Sequence, residues 1–196
     1  MKASLATSLA SCVILACGGA GEDDAATDDL DAPPMAEEAA TPSEPVADSA
    51  RANIVDARGV GIGAVILTAE GGGVALRGAL IGLPPGEHGF HVHQVGSCEP
   101  PAFESAGDHL GAAQTAHGFD APGGPHAGDL RNITAADDST ATVDETNERV
   151  TLRGGTVELL DEDGSAIVVH ADPDDYATQP SGGSGGRIAC GVIEEG

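Results

Sequence analysis

Apolar or β-branched runs of three to seven residues, each closed by a turn signal, recur from residue 51 to the C-terminus. They leave room for short strands but not for long helices. The runs fall at residues 53–56, 63–68, 74–80, 88–93, 141–143, 156–159, 166–170 and 187–190. Gly71-Gly72-Gly73 and Pro84-Pro85-Gly86 stand between neighbouring runs, and Gly (29) and Pro (12) make about a fifth of the 196 residues. About eight short strands in residues 51–196 predict an all-β fold, a β-sandwich or flattened eight-stranded barrel. With three Phe, one Tyr and no Trp, its core has to come from Val, Ile, Leu and Ala. Residues 97–125 break the rhythm: they are rich in Gly, Pro and His and poor in apolar runs. A long ordered loop inside a compact domain is usually a functional one.

The first 50 residues read differently. Met1-Lys2 precedes an uncharged stretch, 3–16, that is too short to span a bilayer and suits an export signal. Ile14-Leu15-Ala16-Cys17, followed by Gly18-Gly19, resembles a bacterial lipoprotein cleavage site, which predicts a signal peptide over 1–17 and lipid on the Cys17 sulfur. Leu9-Ala10-Ser11-Cys12 also fits the pattern but leaves a shorter apolar region before it. Residues 18–50 carry ten acidic residues, four prolines and no base, a composition that predicts a disordered tether. The folded domain is then 51–196. The expected location is outside the cytoplasm, in the periplasm or cell envelope, with the chain lipid-anchored. A formal charge of −24 repels nucleic acid and anionic lipid, so any membrane contact is expected through the lipid alone.

All seven histidines lie in the folded part. His91 and His93 are two apart on an expected strand, so they share a face, and paired imidazoles suit copper or zinc. His109, His117, His126 and Asp129 in the long loop supply three nitrogens and a carboxylate, a set that satisfies tetrahedral zinc and leaves no open position for hydrolysis. His88 faces the other way on a straight strand and reads as structural. His170 by itself reads as a strand-end residue. Two cysteines remain after the signal, Cys98 and Cys190, and in an exported domain they should pair.

Several separated motifs agree in order and spacing. They are Gly89-Phe90-His91-Val92-His93, Gly96-Ser97-Cys98, Ser105-Ala106-Gly107-Asp108-His109 and His117-Gly118. Then come Gly124-Pro125-His126-Ala127-Gly128-Asp129-Leu130, Ile167-Val168-Val169-His170 and Gly186-Arg187-Ile188-Ala189-Cys190-Gly191-Val192. Together they resemble the copper–zinc superoxide dismutases, most of all the bacterial members. The resemblance implies a Greek-key barrel with long metal-binding loops and one copper and one zinc per domain. It assigns copper to His91, His93, His109 and His170, and zinc to His109, His117, His126 and Asp129, so that His109 is shared. It further implies that Asp174 links ligands of the two metals, that Arg187 lines the copper channel, and that Cys98 and Cys190 form the family disulfide. The implied activity is dismutation of superoxide to dioxygen and hydrogen peroxide. Arg187 and His109 act on the substrate, and a homodimer is the further partner the family allows.

Some features depart from that pattern. Leu110-Gly111 replaces an aromatic and Asn-Pro after His109, and a neutral Tyr176-Ala177-Thr178-Gln179-Pro180 replaces a charged, lysine-bearing cluster. Residues 51–196 hold 22 acids against seven arginines, a charge of −15 that opposes an anionic substrate. The rate is therefore expected to rise with ionic strength unless the field of Arg187 dominates. The competing reading is a non-catalytic copper- or zinc-binding lipoprotein on the same scaffold. Gly182-Gly183-Ser184-Gly185-Gly186 lacks the Lys-Ser/Thr of a phosphate loop and reads as a turn or channel wall. Asn132-Ile133-Thr134 fits a glycosylation sequon with no expected use.

Overall fold

The computed structural model describes residues 49–196. The expected signal over 1–17, with Cys17, and the tether up to residue 48 lie outside the described residues. Nine strand segments form one antiparallel sheet: β1 (Ser49–Asp56), β2 (Gly61–Glu70), β3 (Gly73–Ile81), β4 (Gly86–His88), β5 (Phe90–His93), β6 (Ile133–Ala135), β7 (Thr140–Asn147), β8 (Ala166–His170) and β9 (Arg187–Glu195). Their order is β4-β6-β7-β3-β2-β1-β9-β8-β5. No α-helix occurs among the described residues; a single 3₁₀ turn spans Glu104–Ala106.

The two edges of this sheet are one stretch of chain. β4 and β5 are separated only by Gly89, yet β4 pairs with β6 and β5 with β8, so the sheet nearly closes into a barrel. Counted through Gly89, there are eight strands, as expected. A Cβ at Gly89 would sit 2.7 Å from the Ser184 Cβ, so glycine is needed where the β8–β9 loop crosses the strand. Consecutive strands β4/β5, β6 and β7 lie side by side, and β8 returns through a long connection to pair with β5, which is Greek-key order.

Alternation explains the inner face. Ala50, Ala52 and Ile54 of β1 are buried while Arg51 and Asn53 are exposed. Small aliphatics fill the barrel, with Phe90 the one aromatic among its buried core residues. β8 is buried on both faces. Ile167 and Val169 enter the barrel core, whereas Ala166 and Val168 meet Phe103, Ala106 and Cys190 beneath the β5–β6 loop. That loop over the outer face of β5 and β8 creates a buried space outside the barrel, and the histidines occupy it.

Four elements differ from expectation. β1 begins at Ser49, so the tether expected to end at residue 50 gives its last two residues to the sheet, where Ala50 continues the inward alternation. The run at 156–159 is not a strand. Gly154-Gly155 precedes it, and Leu159 is buried from within a loop that touches Thr151 through one isolated bridge. β6, three residues long, is not among the expected runs; its Ile133-Thr134 belongs to the stretch read as a sequon. β7 continues to Asn147 because its alternation persists through polar residues.

Candidate metal centre

Two strands and one loop bring the donors together. β5 contributes His91 and His93, β8 ends in His170, and the β5–β6 loop contributes His109, His117, His126 and Asp129. Isolated ladder contacts His93↔His109 and His91↔Asp129 stitch that loop to β5. All of these side chains are buried.

Hydrogen bonds fix which nitrogen of each ring faces inward. His91 Nε2 lies 2.8 Å from Asp174 Oδ2, His93 Nδ1 lies 2.9 Å from the Gly107 carbonyl, and His170 Nδ1 lies 3.3 Å from the Gly185 carbonyl. Each of these nitrogens must donate, because its partner is an acceptor. The opposite nitrogen then carries a lone pair. Those opposite atoms, His91 Nδ1, His93 Nε2 and His170 Nε2, are buried without a hydrogen-bond partner, as is His109 Nε2. One ligand atom from each of these four residues lies within 4.8 Å of the others. Four buried lone pairs converging without a donor are a cation site.

The second group shares His109. Asp129 Oδ1 lies 2.9 Å from His109 Nδ1, 3.1 Å from His117 Nδ1 and 3.2 Å from His126 Nδ1. The other carboxylate oxygen, Oδ2, accepts the Gly118 and His126 backbone N–H groups at 2.8 and 3.0 Å. His117 Nε2 donates to Asp174 Oδ1 at 3.0 Å, and its Nδ1 faces the Asp129 Oδ1 oxygen. His126 Nδ1 lies close to that oxygen without hydrogen-bond geometry. Such spacings fit ligand atoms around a tetrahedral ion bound at about 2.0 Å, which places neighbouring donors about 3.3 Å apart. The Asp174 carboxylate thus links His91 of one group to His117 of the other. Gly182, at φ +65°, passes over this link, where a Cβ would overlap Asp174 Oδ1.

Electrostatics agree with the donor assignment in the first group. Burial pushes His91 down to about 4 and His170 to about 3, and holds His93 well below its ordinary value. All three rings are therefore neutral at pH 7, the state a metal requires. Burial opposes charge on His117, but Asp129 and Asp174 at its two nitrogens raise it to about 9. Burial also works against ionising Asp129, yet His109 and His117 hold its carboxyl well below the usual range.

The first group opens onto a cleft of about 640 Å³ lined by His93, His109, His170, Asp108, Gly185 and Arg187, among others. Arg187 Nη1 and Nη2 donate to the Phe103 and Gly107 carbonyls, each at 2.6 Å. Gly107 therefore accepts from both Arg187 and His93. Burial lowers the Arg187 pKa, opposed by Asp108 and Glu104, and the guanidinium remains charged at neutral pH. The Cys98–Cys190 disulfide is formed, and it ties the start of the β5–β6 loop to β9 beside Arg187.

Other sequence readings resolve here. His88 is buried with its two nitrogens against the His170 and Pro84 carbonyls, at 2.8 and 2.7 Å, a structural tie. Gly185 of the glycine-rich segment lines the cleft. Asn132, set aside as a sequon, grips the Asp174 peptide through both polar atoms of its side chain. Arg149 was missed. Its Nε donates to the His126 carbonyl at 3.2 Å and its Nη2 to the Asp129 carbonyl.

A nearly closed antiparallel barrel, with two four-donor groups sharing one imidazole on its outer face, fits a two-metal β-barrel protein. The chain belongs to the copper/zinc superoxide dismutase family, whose model matches residues 62–193. It is 49% identical over 149 residues to the Cu-Zn superoxide dismutase of Caulobacter vibrioides, covering 74% of this chain and 86% of that one. Among solved structures it is similar to a superoxide dismutase-like protein from Bacillus subtilis, with TM-score 0.70 and 38% identity, covering 72% and 96%. It is similar also to the Cu/Zn superoxide dismutase of Brucella abortus, with TM-score 0.61 and 29% identity, covering 74% and 99%.

Proposed function

We propose that this chain dismutates superoxide to dioxygen and hydrogen peroxide, with copper held by His91, His93, His109 and His170 and zinc by His109, His117, His126 and Asp129. The observation that carries the reading is the convergence of four partnerless imidazole nitrogens beside a cleft that also holds Arg187. Copper bound there supplies a one-electron couple for two successive substrate molecules, and zinc fixes the shared ring. Everything else is the work of the chain. Arg187 presents a fixed cation to the small anion, its guanidinium anchored by two carbonyls so that it does not collapse onto the donors. His109 Nε2 is the atom placed to hold a proton and pass it to the reduced anion, while Nδ1 stays with the Asp129 group. Asp174 orients His91 and His117 from behind.

Export through the 1–17 signal, lipid attachment at Cys17 and a tether over 18–48 form part of the same proposal, with the enzyme protecting the cell envelope. A second reading, metal binding without turnover, is favoured by the likeness to a protein named only superoxide dismutase-like. The two readings separate on Arg187. Replacing it with alanine is expected to lower the superoxide decay rate by about ten-fold, because a focusing charge is lost in an acidic surround. With a domain charge of −15, the parent rate should rise with ionic strength, and the variant should rise more steeply. Pulse radiolysis over a salt series checks both; an Arg187→Ala rate equal to the parent contradicts the assigned role, and a parent rate that falls steeply with salt means that the Arg187 field outweighs the acidic surround.

A further inference from the structure

We infer that Gln179 is a positioning residue for His117, an inference that rests on reading the Asp129 group as a zinc site. The other donors are placed by strands or by contacts to them. His91 and His93 lie on β5, His170 ends β8, and His109 and Asp129 bridge to β5. His126 is fixed three residues before Asp129, with its carbonyl held by Arg149. His117 has no strand or ladder contact of its own: it lies in mid-loop, tied through its ring to Asp129 and Asp174 and through the Gly118 N–H to Asp129.

Its peptide is gripped instead by one side chain 62 residues away. Gln179 Oε1 accepts the His117 N–H at 2.9 Å, and Gln179 Nε2 donates to the His117 carbonyl at 2.9 Å. Nε2 also donates to the Ala177 carbonyl at 3.0 Å, which orients the amide from its own loop. Asn132 makes the same two-point grip in the opposite direction, with its Oδ1 and Nδ2 on the Asp174 N–H and carbonyl at 2.9 Å each. The β5–β6 and β8–β9 loops are thus joined by two reciprocal amide clamps, with the Asp174–His117 hydrogen bond between them. Gln179 sets where the His117 backbone lies, and so where Nδ1 points. Its neighbours Pro180 and Ser181 line the copper cleft, so the same clamp joins the zinc ligand to the cleft wall. The neutral segment that replaces a charged cluster therefore has a use of its own.

Gln179 is exposed, and the Asn132 clamp and the Phe119–Tyr176 ring contact at 5.7 Å also join these loops, so the barrel should fold without it. The test uses the full chain loaded with copper and zinc, and a second sample with cobalt(II) in place of zinc. Gln179→Ala is expected to release zinc to a chromophoric chelator about ten-fold faster, as loss of partners to metal ligands does. It should also shift the cobalt absorption bands. Gln179→Glu keeps the acceptor but sets a carboxylate oxygen against two carbonyls, and should release zinc faster too. Thr178→Ala, which loses only a hydroxyl bonded to Asp175, should behave as the parent. Parent-like zinc release and cobalt bands in Gln179→Ala overturn the inference, as does equal acceleration in Thr178→Ala. Failure to take up zinc or cobalt at all overturns the zinc reading and this inference together. Loss of superoxide decay with the zinc results intact counts against the dismutase reading alone.

Discussion

His93→Ala is expected to lower copper-dependent superoxide decay by more than about 100-fold, since even residues that merely support a metal ligand are worth 10–100-fold in affinity. His93 is the informative donor because it belongs to one group only. Its Nδ1 is held by the Gly107 carbonyl, and it has no contact with Asp129 or Asp174 of the kind His91, His109 and His117 make. The variant should therefore lose copper and keep zinc. Phe90 and Val92 still enter the barrel from the same strand, so the fold should persist. Metal content by mass spectrometry, measured beside the decay rate, checks both halves. Retention of a full copper equivalent by His93→Ala, or loss of zinc with it, contradicts the assignment.

Removing the disulfide is expected to produce the largest change in stability. The bridge joins residues 92 apart, and closing a loop of that length stabilises by roughly 4–5 kcal/mol in the chain-entropy model. Cys98→Ala with Cys190→Ala should lower the melting temperature by roughly 10–18 °C for a domain of this size. Alanine is the right replacement at Cys190, which is fully buried against Phe103, Ala106 and Val168, because serine would bury a hydroxyl there. The loop segment released carries the Phe103 and Gly107 carbonyls that anchor Arg187, so substrate capture should weaken as well. Calorimetry of the metal-loaded chain checks the first effect. A shift under a few degrees would mean that the loop is held by the metals and its packing alone.

Much of this was legible in the sequence for specific physical reasons. Strand period places His91 and His93 on one face whatever the fold, and turn signals mark most strand ends. Donor chemistry alone makes His109, His117, His126 and Asp129 a tetrahedral set. The sharing of His109 was not legible in spacing, because it depends on how one ring sits between two groups brought together by different elements; the family resemblance supplied it. Strand β6 escaped because its two β-branched residues, Ile133 and Thr134, read equally as part of a sequon. The run at 156–159 misled because apolar content alone cannot distinguish a strand from a loop that buries Leu159. Gln179, Asn132 and Arg149 left no trace for a different reason: each acts on backbone N–H or carbonyl groups, which every residue has, so nothing in their partners' identities announces the contact.

The proposed dismutation needs the two groups of donors sharing His109 to make a redox centre. The direct measurement is superoxide decay by the chain carrying one copper and one zinc, with the metal content of the same sample and an equal amount of free copper for comparison. Decay well above free copper, lost when copper alone is withheld, is the expected result. Tight binding of both metals with no catalysis above free copper would contradict the proposed dismutation.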